Sequence, residues 1–363
     1  MQNKLIQLIN ICLEKNIPFV SFRLPNESNL KTWVQLSGKF NFVEHFHEVA
    51  KQSGFVYAPF HRKTDFPLVF FEPELIFEND NFDDSLIREI SEKEPLYPEY
   101  KYDLPFEINK NEYLKQAKIF IESFDINFPK AVLSRIQVEH KPVHFDTGKF
   151  FLKLQKTYPN AFCHLFNIPG AGIWVGATPE TLLRMNKNTA QTISLAGTQP
   201  FREDEISWQE KEIEEQQIVT DYIEGVLNKF EIKEFHKEKV QNLMAGNAVH
   251  LASKFSFDKV NIEKKLGEFI SALHPTPAVC GFPKERALEL IFQKEKHNRE
   301  YYAGFCGPLN MNDKTDLFIN LRCMKILKDK LALYVGGGLT AQSDPNMEWE
   351  ETLLKAETLL SIL

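Results

Sequence analysis

The chain has 363 residues, 43% hydrophobic and 12% aromatic, with 43 Lys and Arg against 50 Asp and Glu and a formal charge of −7. That is ample for one large domain or two or three smaller ones. An acidic balance without a basic block or arginine-rich arm argues against nucleic acid and anionic membrane as partners. No run approaches the ~20 apolar residues of a membrane span. Cys12, Cys163, Cys280, Cys306 and Cys323 form no CxxC or metal-ligand spacing, so reduced thiols in a soluble, cytoplasmic protein are expected.

The opening "MQNKLIQLINICLEKN" has charges inside its apolar run and lacks a small-residue cleavage site. It reads as an amphipathic helix, not a signal peptide. Alternation in "IPFVSFRL", "KFNFVEHF" and "FPLVFFEPEL" predicts strands, and the charged, proline-bearing stretch from Asn79 to Lys110 reads as a loop. "NKNEYLKQAKIFIESF" restarts as a helix with Asn109 as N-cap. Strand "AVLSRIQVEH", helix "DTGKFFLKLQKTY" and strands "AFCHLFNIPG", "GIWVGATPE" and "TAQTISLAGTQ" follow, then a helix over about 205–229. A helix over about 283–295, strands "YYAGFCGPLN", "TDLFINLRCMKIL" and "KLALYVGGGLT", and a final helix from about 345 complete the chain. Strands in neighbouring runs with helices between the groups imply an α+β fold with a large, mostly antiparallel sheet core and outer helices. No internal repeat or Gly/Ser linker divides it.

Two helices carry carboxylates where apolar residues are expected. Val219, Tyr222, Ile223 and Val226 recur at three and four, and the same face extended backwards reaches Glu215 and Glu212. In the last helix, Trp349, Leu353, Ala356, Leu360 and Leu363 form the expected core seam, with Glu348, Glu351 and Lys355 on an adjoining face. Such pairs can simply favour a helix start through its dipole. On a buried stripe they need a positive partner, because unpaired carboxylates lose several kcal/mol on leaving water. A hard divalent cation such as Mg²⁺ suits that oxygen-only ligand set.

Gly197 in "SLAGTQP" and Gly336, Gly337 and Gly338 after the strand "LALYV" allow close backbone approach to a ligand, or else mark a bulge or turn. His274 lies between an apolar helix end and two prolines. Arg322, read as mid-strand, needs an anionic partner if buried.

Taken in order, "FPKAVLSR", "WVGATPETLLR", "SLAGTQP", "KEIEEQQIV", "HPTPAVCGFP", "REYYAGFCG", "LFINLRC", "VGGGLTAQSDP" and "EWEETLLK" resemble the chorismate-utilising enzymes, and isochorismate synthases above all. The likeness covers about residues 125 to 363. It implies that 106–363 is the chorismate-binding catalytic region and 1–105 an accessory portion of the same domain. It also implies a Mg²⁺-dependent isomerase that moves a hydroxyl from C4 to C2 of chorismate, giving a product that feeds menaquinone or siderophore biosynthesis. By the resemblance, Lys130 is the general base and Glu180 the general acid. Glu215 and Glu351 bind Mg²⁺ directly, and Glu212 and Glu348 through water. His274 lies near the leaving group, Tyr302 and Arg322 hold the enolpyruvyl carboxylate, and Gly197, Thr198, Gly336 and Gly338 present donors. Lys355 balances charge near the ring carboxylate. Free Lys titrates near ~10.4 and Glu near ~4.3, so each must shift towards its neutral form to serve at neutral pH. A salicylate synthase, an ammonia-dependent anthranilate or aminodeoxychorismate synthase component and a non-catalytic chorismate-binding protein are the alternatives.

Overall fold

Phe162–Ile168 is buried at all seven positions, so this strand needs cover on both faces. Phe162, Phe166 and Ile168 point into one cluster with Phe22, Phe55, Tyr57 and Trp174. Cys163 and Leu165 point the other way, towards Leu5, Leu8, Phe151, Leu154 and Met324. The computed structural model, which describes residues 4–38, 40–62, 66–98, 103–200, 206–245 and 248–363, supplies the two covers: a second sheet on one face and helices on the other.

The first sheet has nine strands, edge to edge Gly281–Phe282, Lys130–His140, Lys330–Thr340, Cys323–Ile326, Gly172–Thr178, Phe162–Ile168, Phe19–Arg23, Lys31–Val34 and Leu75–Glu78. The second runs Phe235–Lys237, Ala248–Asp258, Thr189–Pro200, Thr181–Met185, Thr315–Ile319, Phe305–Leu309, Gly54–Ala58, Leu68–Phe71 and Asn41–Val43, with Gln241–Ala245 also paired to Ala248–Asp258. Adjacent strands pair antiparallel, as in Lys130–His140 against Lys330–Thr340, where Lys130 faces Thr340 and Val132 faces Gly338. Aromatic rings interdigitate between the sheets: Phe162 stacks on Phe318 with centroids 4.3 Å apart, and Tyr57 meets Phe166 at 3.8 Å. The expected α+β architecture is therefore observed. Strands from residues 1–105 enter both sheets, Phe19–Arg23 beside Phe162–Ile168 and Gly54–Ala58 beside Phe305–Leu309.

Helices Lys4–Glu14, Thr147–Thr157 and Pro345–Leu360 bury Leu8, Phe151 and Leu359 against the outer face of the first sheet. Helix Lys110–Glu122 begins as expected at Asn109, whose side chain accepts the Glu112 N–H at 3.0 Å.

Four expectations are corrected. The stretch read as a loop contains the helix Asp84–Glu92, started by the Asp83 side chain accepting from Ser85 N–H and anchored by buried Ile90. The helix placed at about 205–229 runs Glu210–Lys229, because Gln209 is its cap; residues 201–205 lie outside the described residues. Gly336–Gly338 sit inside the strand Lys330–Thr340 rather than after it. In the last helix the buried face is Glu348, Thr352, Ala356 and Leu359, one position back from the expected seam, because Trp349 turns aside to pack on Tyr113 and under Arg135.

Truncating Phe162 to Ala removes a ring that joins the two sheets, and should lower the unfolding free energy by roughly 3–5 kcal/mol in urea titration. A loss below about 1 kcal/mol would contradict this packing.

Candidate active site

The chain passes from the first sheet to the second at Pro179–Glu180 and returns at Asn320–Arg322. The two crossings are tied together: Ile319 N–H donates to the Glu180 carbonyl at 2.9 Å, and Ala177 N–H to the Arg322 carbonyl at 3.1 Å. Arg322 is thus not mid-strand. It has φ of 50°, a left-handed conformation uncommon for a side chain of its size, and it turns the chain between sheets.

A cavity of about 70 Å³ opens at this double crossing. Its walls include Glu180 and Arg322, the bulged segment Gly197–Thr198, the glycines Gly336, Gly337 and Gly338, Tyr302, Glu215, Glu351 and Lys355. The register of Thr189–Pro200 shifts between Ala196 and Gln199, so Gly197 marks a bulge, with φ of 67°. Lys130, the first residue of its strand, is fully buried, with Nζ 2.8 Å from Glu215 Oε1. The contact is close enough for an ion pair but is not aligned as a hydrogen bond.

Carboxylates from the two helices converge on the glycine triplet. A Cβ on Gly338 would land on Glu215 Oε1 and lie 2.9 Å from Lys130 Cε; one on Gly337 would lie 3.1 Å from Glu348 Oε2 and 3.5 Å from Glu351 Oε1. Each of these glutamates rests on a lysine: Glu215 on Lys130, Glu348 on Lys211 at 2.5 Å and Glu351 on Lys355 at 2.5 Å. Glu348 Oε2 is buried without a hydrogen-bond partner among the described residues. Glu212 stands apart. It accepts the Gln209 N–H at 2.9 Å, closing its own helix start, and its Cβ lies beside Gly197. Among the described residues, no three His, Cys, Asp or Glu side chains are grouped as a ready-made metal site.

Burial holds the Glu180 carboxyl up at about 7, against opposing charges from Lys130, Lys355 and Arg322. Burial, then the Glu351 charge, pushes Glu348 upward. On Glu351 the same burial is outweighed, by Lys355 above all, and its carboxyl lies below the usual range. Burial also lowers the Arg322 guanidinium and raises the Tyr302 phenol.

His274 is not part of this site. It borders a different cavity, its Nε2 3.0 Å from the Ala303 carbonyl. The histidine that does line the active-site cavity is His250, which the sequence reading passed over. Its Nδ1 is 2.8 Å from the Gly197 carbonyl, which can only accept, so Nδ1 carries the hydrogen; Thr198 Oγ1 is 3.2 Å away. Burial, then Arg322, holds this imidazole neutral at about 3, and Nε2 has no partner among the described residues. Tyr334, also missed, lines the cavity and stacks on Tyr302 at 5.9 Å. The signal for His250 was a polar residue inside the buried strand "VHLAS". Among the described residues, no helix is long and apolar enough to cross a membrane.

A family model described as "Chorismate binding enzyme" matches residues 75–363. Isochorismate synthase EntC of Escherichia coli (strain K12) is 29% identical over 243 residues, 64% of this chain and 62% of that protein. Anthranilate synthase component 1 of Streptomyces coelicolor is 28% identical over 234 residues, 61% of this chain and 45% of that one. The matches therefore span less than two thirds of these relatives' lengths. In structure, DhbC of Bacillus anthracis covers 98% of this chain and 99% of its own at 22% identity, with a TM-score of 0.77, a likeness of fold.

Glu180 also makes stability depend on pH. Between 4.5 and about 7 its carboxyl is protonated in the folded protein and ionised in the unfolded chain, so stability falls as pH rises through that window. The shift corresponds to on the order of 3 kcal/mol. Glu180→Gln should therefore shrink the difference in urea-unfolding free energy between pH 5 and pH 8. An identical difference in the variant would contradict the burial of this carboxyl.

Proposed function

The chain belongs to the family of chorismate binding enzymes, and from that membership we propose that it converts chorismate to isochorismate. One observation carries the reading: a buried carboxyl titrating at about 7, Glu180, shares a site with a buried lysine, Lys130, whose charge is the largest opposing that shift. A carboxyl at that value is substantially protonated at neutral pH and can act as an acid.

In this reading Lys130, acting as the free amine and not as the ammonium that pairs with Glu215, accepts a proton from water as its oxygen bonds to C2, and Glu180 donates a proton to the hydroxyl leaving C4. One water enters and one leaves, so the reaction is an isomerisation. Arg322 and Tyr302 face the enolpyruvyl carboxylate; the half-buried guanidinium suits an anionic group better than a neutral one. Lys355, fixed by the Gly336 carbonyl at 2.8 Å, faces the ring carboxylate, and His250 Nε2 offers an acceptor to a substrate hydroxyl.

We also propose Mg²⁺, held by Glu215 and Glu351 directly and by Glu348 through water, with Glu212, which closes its own helix start, outside the set. The residues fit it: hard oxygen donors from two helices, the unpartnered Glu348 Oε2, and a strand left bare of side chains at Gly337 and Gly338. When bound, the ion supplies positive charge for the ring carboxylate. It would compete with Lys130 and Lys355 for the same carboxylate oxygens.

Purified protein given chorismate and magnesium chloride should yield isochorismate by chromatography. Salicylate with pyruvate, or an amine-bearing product formed only when ammonium is supplied, would assign a different reaction. Lys130→Ala should keep the fold by circular dichroism and reduce turnover by roughly 10²–10⁴-fold; substantial residual activity would remove it from the role of base. Glu351→Gln should raise the magnesium concentration needed for half-maximal rate, and an unaltered requirement would rule it out as a ligand.

A further inference from the structure

A second cavity, of about 680 Å³, lies on the far side of the second sheet's edge and shares no lining residue with the first. Its floor is the end of helix Leu266–Leu273, with Ser271 and His274; its walls come from the segments around Phe46, Phe60 and Phe305. Phe46 and Phe60 are buried, Phe46 packing edge-on against Phe305 at 5.5 Å. Lys284 and Arg62 bring positive charge to the lining, against a single lining carboxylate, Glu44, among the described residues.

Lys284 differs from the lysines that pair with carboxylates inside this protein. Lys130, Lys211, Lys325 and Lys355 each rest on a glutamate at 2.5–2.8 Å. Lys284 Nζ instead donates to two carbonyl oxygens, Ala272 at 3.0 Å and His274 at 3.1 Å, and no described carboxylate lies within ion-pair distance. Those bonds cap the preceding helix and explain where the side chain sits. Carbonyl dipoles and the Tyr222 ring, whose centroid lies 5.6 Å from Nζ, do not neutralise an ammonium, and no described counter-anion does so either. Burial works on the same group, lowering it to about 8.

We propose that this cavity is a second small-molecule site, for an aromatic carboxylate whose anionic end meets Lys284 and whose ring packs against Phe46, Phe60 and Phe305. The walls argue for a planar apolar body, and a cation with no described carboxylate beside it argues for a single negative charge. The site stands independently of the reaction proposed for the first cavity.

Benzoate is the probe, with benzyl alcohol as its uncharged counterpart and inorganic phosphate as an anion without a ring. Calorimetric titration of the full chain should show saturable benzoate binding, weakened at least tenfold in Lys284→Met and in Ser271→Trp but kept in Lys355→Met, which alters the first cavity only. Ser271 is exposed, so its replacement fills the cavity without touching the cap and keeps the test valid should Lys284→Met misfold. Benzyl alcohol and phosphate should each bind at least tenfold more weakly than benzoate. Absence of saturable benzoate binding, its loss in Lys355→Met with retention in Lys284→Met, or phosphate binding as tightly as benzoate would each overturn the proposal.

Discussion

Carboxylates gathered under protein cover lose their water and repel one another, so a fold that collects several must also supply what balances them. Here three such groups press on one strand where glycines leave it bare, Glu348 and Glu351 at Gly337 and Glu215 at Gly338. Any side chain at Gly337 or Gly338 would occupy the space those oxygens use. The lysines that meet them come from three separate elements, Lys130 from a strand and Lys211 and Lys355 from two helices. The balance is therefore a property of the tertiary fold, and it joins helix Glu210–Lys229, which packs on the second sheet's strands Thr189–Pro200 and Ala248–Asp258, to helix Pro345–Leu360 on the first sheet. A cation at the same place would serve the same electrostatic need, which is why the donor set suits magnesium.

Position follows from topology. A strand pair can offer free backbone groups to a ligand only at its ends or at an irregularity, since regular pairing consumes the backbone's donors and acceptors. The site uses both devices. Glu180 and Arg322 occupy two of the points where the chain changes sheet, Lys130 begins a strand, and Gly197 sits at a bulge. Glu180 lies in a buried corner with no ion-pair partner among the described residues, so its carboxyl titrates near neutrality, whereas Glu351, on Lys355, stays ionised. Two chemically identical side chains thus acquire different roles from their surroundings.

Much of this was legible beforehand where a residue contradicted its own pattern. Glutamates on an apolar helical stripe and glycines in a strand both signal something beyond packing, and Glu215, Glu351, Gly336 and Gly338 do meet at one cavity. What stayed hidden depended on contacts distant in sequence. "TDLFINLRCMKIL" alternates without glycine or proline, so nothing local announces that Arg322 turns the chain between sheets. The helix Asp84–Glu92 fully buries only Ile90, with Leu86 packed partly beside it, and lies among charges and prolines. The two histidines were exchanged for the same reason: His274 is conspicuous beside its prolines but borders another cavity, while His250, unremarkable in its strand, lines the site.

In the proposed reaction water, not an internal transfer, supplies the new hydroxyl, through a buried lysine and a buried acid on either side of the ring. Turnover of chorismate in water enriched in oxygen-18, followed by mass spectrometry of the product, tests this directly. One labelled oxygen at C2 of isochorismate, with the original C4 oxygen lost, is the predicted result. A product that retains only unlabelled oxygen on its ring would contradict it.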